Sequence, residues 1–396
     1  MIVNRETAAQ AALGSDHDQA RAPSAVQAAN GLLGGGRSLA AGYRTMIAAA
    51  VLAPARRLTG AAEGHGAQAG PAAADPPPGR DDVRALVAGA RSRWVDLDGP
   101  VHYLDFGGPP GGPAVVCVHG LAGSAVNWSA IAPLLTGRCR MIAPDLPGHG
   151  LTRSLGRGTD VPALRALLHR FIEAVPAGPV TLIGNSMGGM LSLLQASAAP
   201  AAVAGLVLVD PVLPLVPARP DRLVTPMLAA YAAPGLGPLL MRLRRRMSPE
   251  ALVASVLSLS CEDASRVPAD VVAQHVTVAR HALKSPDAER EIAASARSMI
   301  ATFGDLRGGA YRRAIRSITC PVLLLHGAGD RMVPITVARA AARANPSWTL
   351  IEMPGVGHLP QLEAPADTAS AIIAWLGSAG QDAARAAVPA SPARPA

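Results

Sequence analysis

From Arg93 to about Trp375, short apolar and β-branched runs alternate with longer helical patterns, and this alternation restricts the fold more than any other feature of the sequence. RWVDLD (93–98) and VHYLDFG (101–107) predict a hairpin across Gly99 and Pro100. PAVVCVHG (113–120), CRMIAPD (139–145), VTLIG (180–184), LVLVD (206–210), PVLLLHG (321–327) and WTLIEMP (348–354) predict six further strands. Uninterrupted apolar runs such as 113–120 are what a strand buried on both faces requires. Helical patterns fall between them at about 127–135, 160–175, 187–198, 335–344 and 365–377. Strands separated by helices join through right-handed crossovers into a largely parallel sheet. The expected fold is therefore α/β: a mostly parallel, doubly wound sheet of about eight strands. Between Pro211 and Pro321 the rhythm gives way to a mostly helical stretch, which predicts an insertion after the sixth strand.

These textures divide the chain. Residues 1–90, with GLLGGGRS and PAAADPPPGRDD, form an Ala/Gly/Pro-rich leader without a core of its own, with a short helix expected around 38–59. The sheet domain takes 91–212 and 319–378, the inserted segment 213–318, and a frayed tail 379–396. With 49% hydrophobic and 16% charged residues, a chain of 396 can bury a large core, but only 3% are aromatic, so core and pocket are aliphatic.

The net charge of +8 is uneven. Segment 213–318 holds fifteen Lys and Arg against nine Asp and Glu, a surplus of six. No aromatic-interleaved basic stripe accompanies it, so a nucleic-acid partner is not expected. Cys117, Cys139, Cys261 and Cys320 lack metal-site spacing and read as reduced, packed thiols; no metal or cofactor is implied. The amino-terminal residues lack a basic region followed by an apolar one, which makes the cytoplasm the default location. The run Met46–Pro54 is too short to span a bilayer.

The chemistry concentrates at Gly184-Asn185-Ser186-Met187-Gly188, a G-x-S-x-G string set where a strand meets a helix. Glycines on both sides allow a sharp turn that projects the Ser186 hydroxyl from the top of the sheet. A serine hydroxyl needs a base, and of ten histidines His358 is preferred, because it lies on a glycine-bearing loop at the carboxyl edge of the sheet. The base needs a carboxylate to set its tautomer. Asp330, directly after strand 321–327, is preferred, and Asp210, ending strand 206–210, is the alternative acid. His119-Gly120-Leu121 follows a buried strand, so the backbone N–H groups of Leu121 and Met187 are the expected oxyanion donors. His119 then holds this loop as a structural residue, and His149 shapes a tight turn.

With VCVHGLAGS, APDLPGHG, GNSMGG, HGAGDRMVP and GVGHLPQLEAP in order over about 91–378, the chain resembles the α/β-hydrolase superfamily of the capped type. The resemblance implies that 213–318 is a cap roofing the site. Ser186 stands where the epoxide hydrolase and haloalkane dehalogenase branches carry an aspartate. Segment 224–260, rich in Leu, Met, Val and Ala with Tyr231 its one aromatic, suits a small apolar or acyl substrate. Ester hydrolysis through an acyl-enzyme is the leading expectation. Carbon–carbon bond hydrolysis is the alternative, because GNSMGG also occurs in relatives that open ring-fission products; those commonly carry tryptophan where GHLP has leucine. A slow-turnover receptor or scaffold is the third. Leu239-Leu240-Met241-Arg242-Leu243-Arg244-Arg245-Arg246 joins an apolar run to a basic cluster, read as a cap helix with a solvated arginine face in preference to a membrane-surface contact. Oligomeric state is not legible.

Overall fold

The computed structural model describes residues 86–386 except Ala177, 215–229, 304–308 and ten positions between 231 and 245; over 378–386 it describes the backbone alone. The leader through residue 85, the helix expected at 38–59, Tyr231, half of the basic run 239–246 and the tail beyond 386 lie outside the described residues.

Eight strands form one sheet: β1 (Arg91–Asp96), β2 (Pro100–Gly107), β3 (Ala114–Val118), β4 (Arg140–Pro144), β5 (Val180–Asn185), β6 (Val203–Val209), β7 (Val322–Gly327) and β8 (Thr349–Met353). Their spatial order is β1-β2-β4-β3-β5-β6-β7-β8. β1 and β2 are antiparallel, as is β2 to β4, and every pair from β4 to β8 is parallel. The period of two along each strand sorts the core into two layers. Val116, Val118, Leu182, Leu206 and Leu208 pack on one face. Val115, Cys117, Ile183, Val207 and Val209 pack on the other.

Helices cover both faces: α1 (Ala132–Leu135), α2 (Val161–Ala174), α3 (Met187–Ala198), α8 (Ile335–Ala344), α9 (Pro360–Glu363) and α10 (Pro365–Ala386) flank the sheet. α2 starts where expected, because the Asp160 side chain accepts the Ala163 N–H at 2.9 Å and Pro162 occupies the first turn. The helix expected over 127–135 is instead a 3-10 turn (Ala125–Trp128) followed by α1. Pro133 has no N–H to give, so a continuous helix cannot pass through it. The last helix, expected to end near 377, continues to Ala386.

Between β6 and β7 the described residues are helical: α4 (Pro249–Ser260), α5 (Ala269–Ala282), α6 (Ala288–Phe303) and α7 (Ala310–Arg316). Val253, Leu257, Val271, Val272 and Val276 close a small apolar cluster with Leu359 and Leu362 of the sheet domain. The Tyr311 hydroxyl donates to the Val212 carbonyl at 2.7 Å, and the Ser295 hydroxyl to the Thr159 carbonyl at 2.6 Å. Among the described residues no helix is long and apolar enough to cross a membrane.

Candidate active site

β5 is buried along its whole length and delivers Ser186 to the carboxyl edge of the sheet. There the chain turns into α3 with Ser186 at φ 55° and ψ −118°. A side-chain-bearing residue in that region carries about 1–3 kcal/mol of strain and persists only when its surroundings enforce it. The enforcement is visible. The Ser186 N–H donates to the Val209 carbonyl at 3.1 Å, and its own carbonyl accepts from Gly189, Met190 and Val212 at 3.0, 3.2 and 3.1 Å. Gly188 is obligatory: a Cβ there would sit 2.0 Å from the Val118 carbonyl oxygen. Gly184 closes against the backbone of Gly188, where a Cβ would meet the carbonyl oxygen at 2.5 Å.

His358 lies on the loop after β8. Its Nδ1 is 2.7 Å from Asp330 Oδ2, with both side chains nearly fully buried. The other Asp330 oxygen accepts the N–H groups of Met332 and Val333 at 2.7 and 3.0 Å. Burial pushes the Asp330 carboxyl up, yet the His358 imidazole and the hydrogen bond it makes hold it below the ordinary carboxylate value. The structure thus brings Asp330, not Asp210, against the imidazole. Asp210 sits behind it: its Oδ1 accepts the Gly327 N–H at 2.9 Å.

Asn185 ties the two halves together. Its Nδ2 donates to the carbonyls of Val209 and His358, each at 3.1 Å, so the imidazole loop is fastened to the residue preceding Ser186. The sequence reading assigned Asn185 no role. The signal was present, since a polar side chain closing an otherwise buried strand must find partners.

The loop after β3 lies against the same corner: a Cβ on Gly120 would be 3.1 Å from Ser186 Cβ. The Gly120 carbonyl accepts the Gly123 N–H at 3.0 Å and lies 2.8 Å from His119 Nδ1. In a planar trans peptide the Leu121 N–H points opposite that carbonyl. Met187 is the first residue of α3, so its N–H has no acceptor within the helix. His119 Nε2 accepts the Leu146 N–H at 3.1 Å, which makes the ring a neutral brace between two loops. Burial pushes the His119 and His149 rings down, His149 to about 3.

A second constellation of the same residue types lies under the hairpin. His102 bridges Ser92 Oγ at 2.8 Å and Asp145 Oδ2 at 2.7 Å. Asp145 also accepts N–H groups of Ala125 and Leu151 at 2.6 and 2.8 Å. Ser92 sits within an ordinary strand, without a strained turn or a helix start beside it, so this group is a cross-link from the β1–β2 hairpin to the loop after β4.

Glu363, also passed over in the sequence, is buried on α9. It accepts N–H groups of Gly357 and Asp263 at 2.7 Å each and of Glu262 at 3.2 Å, and pairs with the Arg266 guanidinium. The His358 N–H donates to the Ser260 carbonyl at 2.6 Å. The end of α4 is therefore bonded directly to the loop that carries the imidazole.

Residues 115–371 match the alpha/beta hydrolase family. The chain belongs to that family. Among its relatives, pimeloyl-[acyl-carrier protein] methyl ester esterase of Aromatoleum aromaticum is 29% identical over 270 residues, covering 65% of this chain and 95% of the relative. The 2-hydroxy-6-oxo-6-(2'-aminophenyl)hexa-2,4-dienoic acid hydrolase of Metapseudomonas resinovorans is 28% identical over 294 residues, covering 72% of this chain and 90% of the relative. The crystal structure of a thermophilic esterase from Thermogutta terrifontis superposes with a TM-score of 0.56 at 25% identity, over 73% of this chain and 99% of that one. In this alpha/beta hydrolase, Ser186, Asp330 and His358 follow the carboxyl ends of β5, β7 and β8 of a largely parallel sheet. The chain is a hydrolase with a methyl ester esterase and a dienoic acid hydrolase among its relatives.

Proposed function

We propose that the protein is a serine hydrolase that cleaves a carboxylic ester through an acyl-enzyme. Ser186 is the nucleophile, His358 the general base and then acid, and Asp330 the carboxylate that fixes the imidazole tautomer. The observation that carries this reading is the strained Ser186 at a strand-to-helix turn, with the His358–Asp330 pair fastened to the neighbouring Asn185. The Ser186 proton passes to His358 as the hydroxyl oxygen adds to the ester carbonyl. The negative charge that develops on the carbonyl oxygen is met by the N–H groups of Leu121 and Met187. His358 then returns the proton to the leaving alcohol, and water, activated by the same imidazole, releases the acid.

The helices α4 to α7 form a cap over the site in this reading. The aliphatic composition of residues 224–260 favours a small apolar or acyl substrate over a charged one. Two clefts among the described residues, about 290 Å³ beside Arg153–Thr159 and about 430 Å³ beside Val161 and Tyr311, are not lined by Ser186, Asp330 or His358. They do not define the substrate.

The test combines a fluorophosphonate probe with a substrate panel. Labelling of the wild type but not of Ser186→Ala, together with turnover of p-nitrophenyl butyrate through octanoate, is the expected result. Absence of labelling on wild type removes the nucleophile. Turnover confined to vinylogous diketones moves the assignment to carbon–carbon cleavage, with the Metapseudomonas dienoic acid hydrolase as the nearer model.

A further inference from the structure

Behind the His358–Asp330 pair lie two buried groups, Asp210 and His326, that the proposed mechanism does not use. Oxygen or nitrogen atoms of Asp210, His326 and Asp330 all fall within 4.8 Å of one another. Asp210 and His326 are fully buried, and the Asp330 side chain is fully buried too. His326 Nε2 stands 3.5 Å from Asp210 Oδ1 and 3.6 Å from Asp330 Oδ2, but its proton is committed to the Val333 carbonyl at 2.7 Å. Burial pushes that ring down, so it supplies no positive charge to the carboxyls. The other ionisable neighbours include His358, which faces Asp330, Glu352, whose charge acts on His326, and Glu363, whose negative charge adds to the repulsion on Asp210.

Two carboxylates crowded together away from water do not both ionise. The donors decide which one keeps the charge. Asp330 receives three, from His358, Met332 and Val333, whereas Asp210 receives one, from Gly327. Asp210 Oδ2 has no partner among the described residues when it is counted as an acceptor only. A proton on that oxygen converts an unsatisfied buried atom into a donor.

We propose that Asp210 is the protonated half of a one-proton carboxyl pair, donating from Oδ2 to Asp330 and so holding Asp330 as the anion that faces His358. Asp210 is thus a positioning residue, and its bearing on turnover rests on the hydrolase reading above. Burial and the Asp330 charge act in the same direction, pushing the Asp210 carboxyl well above the ordinary range. Asp210 holds an unusual backbone, with φ 45°, while its side chain accepts the Gly327 N–H.

Infrared spectra of the full-length protein at neutral pH test the pair without reference to catalysis. The carbonyl stretch of a protonated, buried carboxyl is expected in wild type and absent in Asp210→Asn; a wild-type spectrum without it overturns the proposal. Kinetics on the best ester then test the role. Asp210→Leu is expected to lower kcat by at least about tenfold with KM little changed, and Asp210→Asn, which retains a donor, to recover most of that loss. Equal losses in both variants overturn the donor role, because asparagine would then fail for want of charge. If Asp210→Leu does not fold, the infrared band and Asp210→Asn still decide. If the fluorophosphonate fails to label Ser186, the hydrolase reading falls while the infrared band still reports on the pair.

Discussion

At the scale of single residues the site separates into groups that act and groups that hold. Ser186→Ala is expected to lower turnover by about 10⁴- to 10⁶-fold with the thermal midpoint nearly unchanged, as read by ester assay and calorimetry. Asp330→Asn is expected to cost about 10⁴-fold, because an amide in that place favours the wrong imidazole tautomer, and Asp210→Asn far less. The reverse ranking would hand the orienting role to Asp210. Gly188→Ala is expected to destabilise the fold by at least about 1–3 kcal/mol in denaturant titration, since the added methyl meets the Val118 carbonyl rather than a yielding side chain. The places of Ser186, Asp330 and His358 after β5, β7 and β8 were readable because the alternation of strands and helices sets which loops reach the carboxyl edge of the sheet. Asn185 and Glu363 were not, because nothing in a string of letters says which backbone groups a buried polar side chain will reach.

Among the elements, the strands were the most legible, since β5 and β7 announce themselves as unbroken apolar runs. The region around Pro133 was not, because a local pattern of apolar residues looks helical until the missing N–H is counted. The register by which α4 meets the imidazole loop was also hidden, for it depends on contacts a hundred residues apart. That junction is testable. Glu363→Gln replaces a buried acceptor of three N–H groups with an amide that can satisfy fewer of them. The variant is expected to lose about 10- to 100-fold in kcat/KM through displacement of His358, with a smaller change in thermal midpoint. A fall in stability with kcat/KM intact would confine Glu363 to packing.

For the whole molecule, buried neutral histidines set the response to acid. His149, pushed down to about 3 by burial, stays uncharged in the fold while the unfolded chain takes up a proton near pH 6.5. The unfolded state therefore gains protons that the native state refuses. Stability falls by about 1.4 kcal/mol per pH unit from this one group as the pH drops from 6.5 toward about 3. His119, His275 and His326 shift in the same direction and steepen the fall. Asp145 acts lower, its stabilisation complete above about pH 4 and lost as the pH falls through its depressed folded value. Urea midpoints measured from pH 8 to pH 4 are expected to decline from about pH 6.5 downward, and His149→Gln to make the slope shallower. Over the same range the thiols stay quiet: Cys139 and Cys320, each pushed up to about 11, should resist alkylation in native protein and react once it is unfolded.

The bond from the His358 N–H to the Ser260 carbonyl has a practical corollary for protein engineers. Recombining this scaffold with the β6–β7 segment of another family member exchanges more than a run of helices, because the transplant also removes the acceptor and the N–H groups on which the histidine turn leans. A chimera would need a main-chain oxygen at the position of residue 260 and a donor pair for Glu363 before any new substrate preference could show itself.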